Sequence, residues 1–340
     1  MNSCATQIRV PPTRELVKMY PGLNGAKGLL IVMVVFAHCL PPSTMLYFMY
    51  FFHMPLFMAI SGFLLKQAAF KNGYMAYMKR LWHRLILPWI AATLIFMPLR
   101  FSQDHNVRLQ FADIIYPYYH LWYIPSYLIG ATICYAIIKQ KIPAWIVLLA
   151  TAIITIVWYN VYRDTPLSVT ELPLYWLGDK RMVAYLFFFI LAFCIRNKLA
   201  QINISSIQLI IIKALTIAAL VFLVLKRSSS IYIVWPFMLF NTCLVLYILM
   251  YIAPKNYLQN KWFLLINKQS LGLYLYHPLI IAGVYRVLYN KGQHHVSNLQ
   301  ASGIFVVVLL LTMGLVWLLK GWEVTNRYVL GNIKCSEKIV

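Results

Sequence analysis

Carboxylates are what this chain has least of. Its 340 residues carry eight Asp and Glu against 30 Lys and Arg, a formal net charge of +22. No Asp or Glu falls well inside an apolar run. That argues against a carboxylate proton relay and against the paired acids of a glycosidase. Cysteine is sparse as well: Cys4, Cys39, Cys134, Cys194, Cys243 and Cys335 are scattered without ligand spacing, so neither a disulfide framework nor a zinc site is expected. There is no GxSxG, no P-loop and no HExxH. Neither His38 nor His53 opens an HxxxxD box, because Ser43 and Met58 stand where the Asp would be. The first residues, MNSCATQIRVPPTRELVKMY, lack an apolar core and a cleavage site, so removal of a signal peptide is not expected. Internal repeats, low-complexity tracts and Gly/Ser linkers are missing too.

What fills the space is hydrocarbon. The chain is 62% hydrophobic and 11% charged, where a soluble domain would carry about a quarter charged residues. Apolar runs of spanning length recur from end to end, so the expected fold is all-α, a polytopic integral membrane protein of about ten transmembrane helices. The windows are 26–42, 44–65, 85–101, 119–138, 142–162, 181–195, 207–225, 231–253, 263–285 and 301–320. The basic residues sit in the short connections, where they orient a membrane protein, and this excludes the nucleic-acid reading that the net charge invites. Roughly twenty of them fall on the side that holds both termini and about nine on the other, so both termini are expected in the cytoplasm. Asp104, Asp113, Asp164, Glu171 and Asp179 fall on the opposite side, beside the aromatic stretches YPYYHLWY at 116–123 and LPLYWLGD at 172–179. Such a surface suits a neutral hydroxylated ligand, although these positions would supply an interfacial aromatic belt in any case.

The chemistry gathers in the first two spans. Lys27, His38 and His53 lie in back-to-back apolar segments, where ionisable groups are costly. The eleven-residue spacing from Lys27 to His38 returns to about the same helix face with an axial separation of about 16 Å. Lys27 alone can snorkel to headgroups; His38, in the outer half, is too short to do so. Pro55 leaves the carbonyl of Phe51 without its helical partner, and Ser61-Gly62 permits close approach by a neighbour. An imidazole titrating near neutrality suits proton transfer. The segment 70–84, FKNGYMAYMKRLWHR, reads as an interfacial amphipathic helix whose basic residues serve as a membrane anchor or a phosphate site.

The stretches NGAKGLLIVMVVFAH, FFHMPLFMAISGFLL, KRLWHRLILPW, LWYIPSYL and SLGLYLYHPL together resemble the acyltransferase family 3 membrane proteins, most of all the fucose 4-O-acetylase-like and O-antigen O-acetyltransferase group. The resemblance runs in order from about 20 to 320. It implies a single transmembrane domain over 1–340, with a cytoplasmic segment 1–22 and a cytoplasmic tail 321–340. It implies an enzyme of the bacterial inner membrane that moves acetyl from cytoplasmic acetyl-CoA to a sugar hydroxyl of an O-antigen or capsule-type polysaccharide at the outer face. Acetyl-CoA is then a donor substrate, and no permanently bound cofactor is expected. The family's basic residue, ten intervening residues and His fall on Lys27 and His38, its Arg-x-x-x-Pro element on Arg84 and Pro88, and its LW element on Trp122. Asn24 stands where many relatives have Asp, so a Lys–Asp pair cannot form there.

On this reading Lys79, Arg80 and Arg84 hold the CoA phosphates through charge-assisted bonds. Lys27 extends that site or polarises the thioester. His38 is the general base, or the nucleophile of an acetyl-His intermediate; both stay open. His53 orients groups or lines the cavity, and His120, Trp122 and His277 are the candidates for contact with the acceptor. The alternative is a transporter or flippase of lipid-linked sugars without acyl chemistry. The lack of intramembrane carboxylates and of a nucleotide motif counts against it.

Overall fold

The computed structural model describes residues 20–101, 120–162, 181–196, 205–225, 234–289 and 296–332. Every regular element among the described residues is a helix. α1 (Gly22–Cys39) and α2 (Thr44–Leu64) are joined across Pro41 and Pro42, which supply no backbone N–H to continue a helical ladder. Ser43 restarts it by accepting the Leu46 N–H on its hydroxyl at 3.2 Å. α3 (Tyr74–Leu81) runs through a π-helical turn, Trp82–Ile86, into α4 (Leu87–Phe101). α5 (Tyr123–Gln140), α6 (Ala144–Tyr162), the pair α7 (Arg181–Ala184) and α8 (Leu186–Arg196), and α9 (Ser206–Leu225) follow. The chain ends with α10 (Val234–Tyr247), extended by a π turn over Ile248–Ile252, then α11 (Lys261–Lys268), α12 (Ser270–Tyr289), α13 (Asn298–Gly321) and α14 (Glu323–Tyr328).

Helices fall on each of the expected windows, and seven of them are long and apolar enough to cross a membrane: α1, α2, the α3–α4 rod, α9, α10 with its extension, α12 and α13. α6 contributes a shorter apolar stretch, Ala144–Trp158. α5 buries Ser126, Gly130 and Ala131 along one face; inside a bundle, small and hydroxylated residues meet protein rather than lipid. Two boundaries differ from expectation. The interfacial helix expected over 70–84 and the span expected from 85 form one rod, because the π turn keeps the backbone ladder continuous. The window 263–285 is split at Gln269 into α11 and α12. The aromatic stretches 116–119 and 172–179, and the five acidic residues expected on that side, lie outside the described residues.

The α1–α2 hairpin occupies the centre. In an apolar 18-residue window of each, 61% and 72% of the residues are buried, against 11% for α9 and 22% for α13, which form the periphery. Gly28 lets α1 approach the backbone of Phe263, and Gly62 lets α2 approach the backbone of Phe189 on α8; a Cβ at either place would overlap a carbonyl oxygen. The carbonyl that Pro55 frees is not left bare. Phe51 O accepts the side-chain amide of fully buried Asn241 on α10 at 2.9 Å, and leaving such an acceptor unmatched in the interior would cost about 1–3 kcal/mol. At the far end of α2, Arg196 donates to Leu65 O at 2.8 Å, placing a cation on the helix C-terminus where the dipole favours it.

Candidate active site

Three imidazoles from distant parts of the sequence meet beside α1. His38 Nδ1 and His277 Nε2 are 2.6 Å apart, with rings nearly parallel at 5° and centroids 4.9 Å apart. His120 stands edge-on to both, 5.1 Å from His277 and 6.2 Å from His38. Hydrogen-bond bookkeeping fixes the protons. The carbonyl of Leu273, one turn before His277 on α12, can only accept, so His277 Nδ1 donates to it at 2.8 Å. In the neutral ring Nε2 then carries a lone pair and accepts the Nδ1–H of His38. The same step leaves the basic lone pair of His38 on Nε2.

Burial separates the roles. His277, His120 and His53 are 0%, 3% and 1% exposed, whereas His38 is only partly buried. His38 is therefore the most exposed imidazole of the group.

Each partner is held by a feature that the sequence supplies. Pro278 interrupts the ladder of α12, and beside that break Leu275 O accepts His120 Nε2–H at 3.2 Å. The turn carrying His120 is pinned from two sides: Trp89 Nε1–H donates to Leu121 O at 3.1 Å, and the Tyr274 hydroxyl donates to His120 O. His53 turns back onto its own helix, its Nδ1 bonding Met49 O at 2.5 Å.

A cavity of about 540 Å³ opens from the end of the bundle that carries Lys27. Lys27, Arg84 and Lys268 line it, with Asn24, Asn267 and Asn332 between them and no carboxylate among the lining residues. Asn267 donates its amide to Asn24 Oδ1 at 3.5 Å, so the position where an acid would have paired with Lys27 is tied to the end of α11. Three cations facing one void give it a positive potential, which favours negative charge.

The inner end of the cavity is aromatic. Ser61 donates to Phe57 O at 2.8 Å and therefore accepts the Tyr123 hydroxyl at 2.7 Å. Phe57 packs edge-on to Tyr123 at 4.8 Å, and Tyr123 to Tyr274 at 5.6 Å. Tyr274 in turn lies 5.2 Å from His120. This aromatic wall separates the cationic cavity from the imidazoles.

The expected site residues are thus sorted. Lys27 and Arg84 share the cavity, while Lys79 and Arg80 are exposed and do not line it; Arg80 is bonded to Ala69 O instead. Those two sit on the outward face of α3, so the expected phosphate cluster is reduced to Arg84. His120 and His277, expected against the acceptor, are buried under His38. Trp122 is also buried, 6% exposed among Val34, Met54 and Met182, with Arg181 over its ring at 5.9 Å. It packs the core and offers no open stacking face. Sequence reasoning missed Lys268, because an uninterrupted window from 263 hid the break at Gln269. It also missed Leu330, Gly331 and Asn332, which it assigned to a tail and which line the cavity.

Over residues 20–321 the chain matches a family model, Acyl_transf_3, described as an acyltransferase domain. No curated protein and no solved structure matches it.

Proposed function

The chain belongs to acyltransferase family 3, and from that premise we propose that it is a membrane O-acetyltransferase moving acetyl from cytoplasmic acetyl-CoA to a sugar hydroxyl of an O-antigen or capsule-type polysaccharide. That it is an enzyme transferring acyl groups follows from the family. The donor, the acceptor and the residue roles are our reading. The observation that carries it is the bonded pair His38–His277, in which the partly accessible ring presents a basic nitrogen.

Our assignment runs as follows. The CoA phosphates sit against Lys27, Arg84 and Lys268, and the pantetheine arm points along α1. The last residue of α1 to line the cavity is Ile31, seven residues short of His38, or about 10 Å along the helix. The thioester therefore reaches His38 by displacing a ring of the Phe57–Tyr123–Tyr274 wall. The acceptor hydroxyl gives its proton to His38 Nε2 as its oxygen attacks the acetyl carbonyl carbon. The C–S bond then breaks, and CoA thiolate leaves and takes up the proton. His277 keeps the proton of His38 on Nδ1, and His120 packs the pair in place.

We place ten spans in a bacterial inner membrane with both termini in the cytoplasm. In support, the three cations that line the cavity, Lys27, Arg84 and Lys268, all fall in segments that the charge count assigns to the cytoplasmic side, which is where acetyl-CoA is found. No carboxylate is available among the described residues near the imidazoles, so ion-coupled transport of a lipid-linked sugar has no group to run on. Purified protein given labelled acetyl-CoA and a glycan acceptor is expected to release CoA and label the glycan. A protein that moves lipid-linked sugar while releasing no CoA would overturn the reading.

A further inference from the structure

The family match ends at Gly321, yet three residues lining the cationic cavity lie beyond it: Leu330, Gly331 and Asn332. They are built in. Leu330 is 4% exposed within the central core, and its Cδ2 stands 3.0 Å from where a Cβ on Gly272 would be. Val329 O accepts the Tyr276 hydroxyl at 3.2 Å, next to His277 on α12. Gly331 has φ +67°, a backbone state that side-chain-bearing residues rarely adopt. A Cβ there would collide with the carbonyl of Arg84 and with Pro88. Asn332 closes the loop back onto α14, its N–H bonding Asn326 O at 3.0 Å and its side-chain amide bonding Asn326 Oδ1 at 2.8 Å.

Arg84 itself sits in the π turn between α3 and α4, a backbone form found frequently at functional sites. The loop therefore presses on the backbone of one cavity cation and completes the wall around all three. Nothing in the acyltransferase match supplies this wall, because the match stops before it.

We infer that Val329–Asn332 is a clamp that positions Arg84 and closes the cavity around the phosphate-bearing end of a CoA-type thioester. It governs donor affinity and leaves acceptor binding and the transfer step alone. The inference rests on the donor-site reading above. The clamp is a positioning element: its lining residues carry no charge, and its effect passes through Arg84.

The test is equilibrium binding of CoA to the purified full-length chain. Gly331→Val is expected to weaken CoA binding about tenfold, the equivalent of losing one charge-assisted contact. Its KM for acetyl-CoA is expected to rise by the same factor, while its KM for the acceptor stays at the wild-type value. In a parent with Cys4 and Cys335 replaced by Ser, Asn332→Cys is expected to react with a maleimide more slowly when CoA is present. Unchanged CoA affinity in Gly331→Val overturns the clamp while leaving the donor site standing. Failure of the wild-type chain to bind CoA overturns both. If Gly331→Val does not accumulate, the labelling decides: protection by CoA supports the clamp, and equal rates with and without CoA overturn it.

Discussion

At the scale of single residues the proposal stands on proton positions. His38→Ala is expected to lower acetyl transfer by about 10²–10⁴-fold, the usual worth of a general base, while the amount of protein in the membrane stays unchanged. His277 acts through His38, so His277→Phe is expected to lower kcat with little change in KM. His277→Gln, whose side-chain carbonyl can take the place of Nε2 as acceptor, is expected to recover part of the loss; equal loss in both variants would show that the His38–His277 bond does no catalytic work. Arg84→Gln is expected to raise the KM for acetyl-CoA about tenfold, and Lys79→Ala to leave it unchanged because Lys79 is exposed and outside the cavity. Lys27 and His38 stood out in the sequence because a charge or an imidazole in an apolar run is conspicuous, and Arg84 because it closes the basic segment 70–84 just before Pro88. The partnership of His38 with His277 did not, since residues 239 positions apart carry no local signal of contact. Trp122 shows the reverse error: an aromatic beside a helix end reads as a ligand platform, and only packing reveals Arg181 and Met182 already seated on it.

At the scale of elements, α2 is a broken helix whose break is mended from outside. Pro55 announces the freed carbonyl of Phe51 in the sequence, but its partner, Asn241, is 190 positions away and could not be named in advance. Asn241→Leu is expected to destabilise the protein by about 1–3 kcal/mol, read as a lower unfolding midpoint in detergent, because a buried acceptor loses its donor. Gly62→Val is expected to cost at least as much, since it forces α2 away from the backbone of α8 at Phe189. A midpoint unchanged in both variants would contradict the central place given to this hairpin. The helical windows were legible throughout, since apolar length is the strongest signal a membrane protein carries. The π turn at 82–86 and the break at Gln269 were not, because neither contains a Pro or Gly to mark it.

At the scale of the whole molecule, polarity ties the parts together. One end gathers Lys27, Arg84 and Lys268 around a void, and the imidazoles lie deeper, beyond an aromatic wall. The orientation derived from the charge count predicts that Asn72→Cys is labelled by an impermeant thiol reagent only from the cytoplasm and Gln293→Cys only from the opposite side. Reversal of that pattern would put the cavity on the side without acetyl-CoA. The most direct measurement of the central claim uses the purified chain with acetyl-CoA carrying label in the acetyl group and a surface-glycan acceptor, following free CoA and glycan-bound label together. Equal appearance of both in the wild type, and of neither in His38→Ala, is the predicted result. Wild-type rates in His38→Ala, or no transfer by the wild type to any hydroxylated glycan, would contradict it.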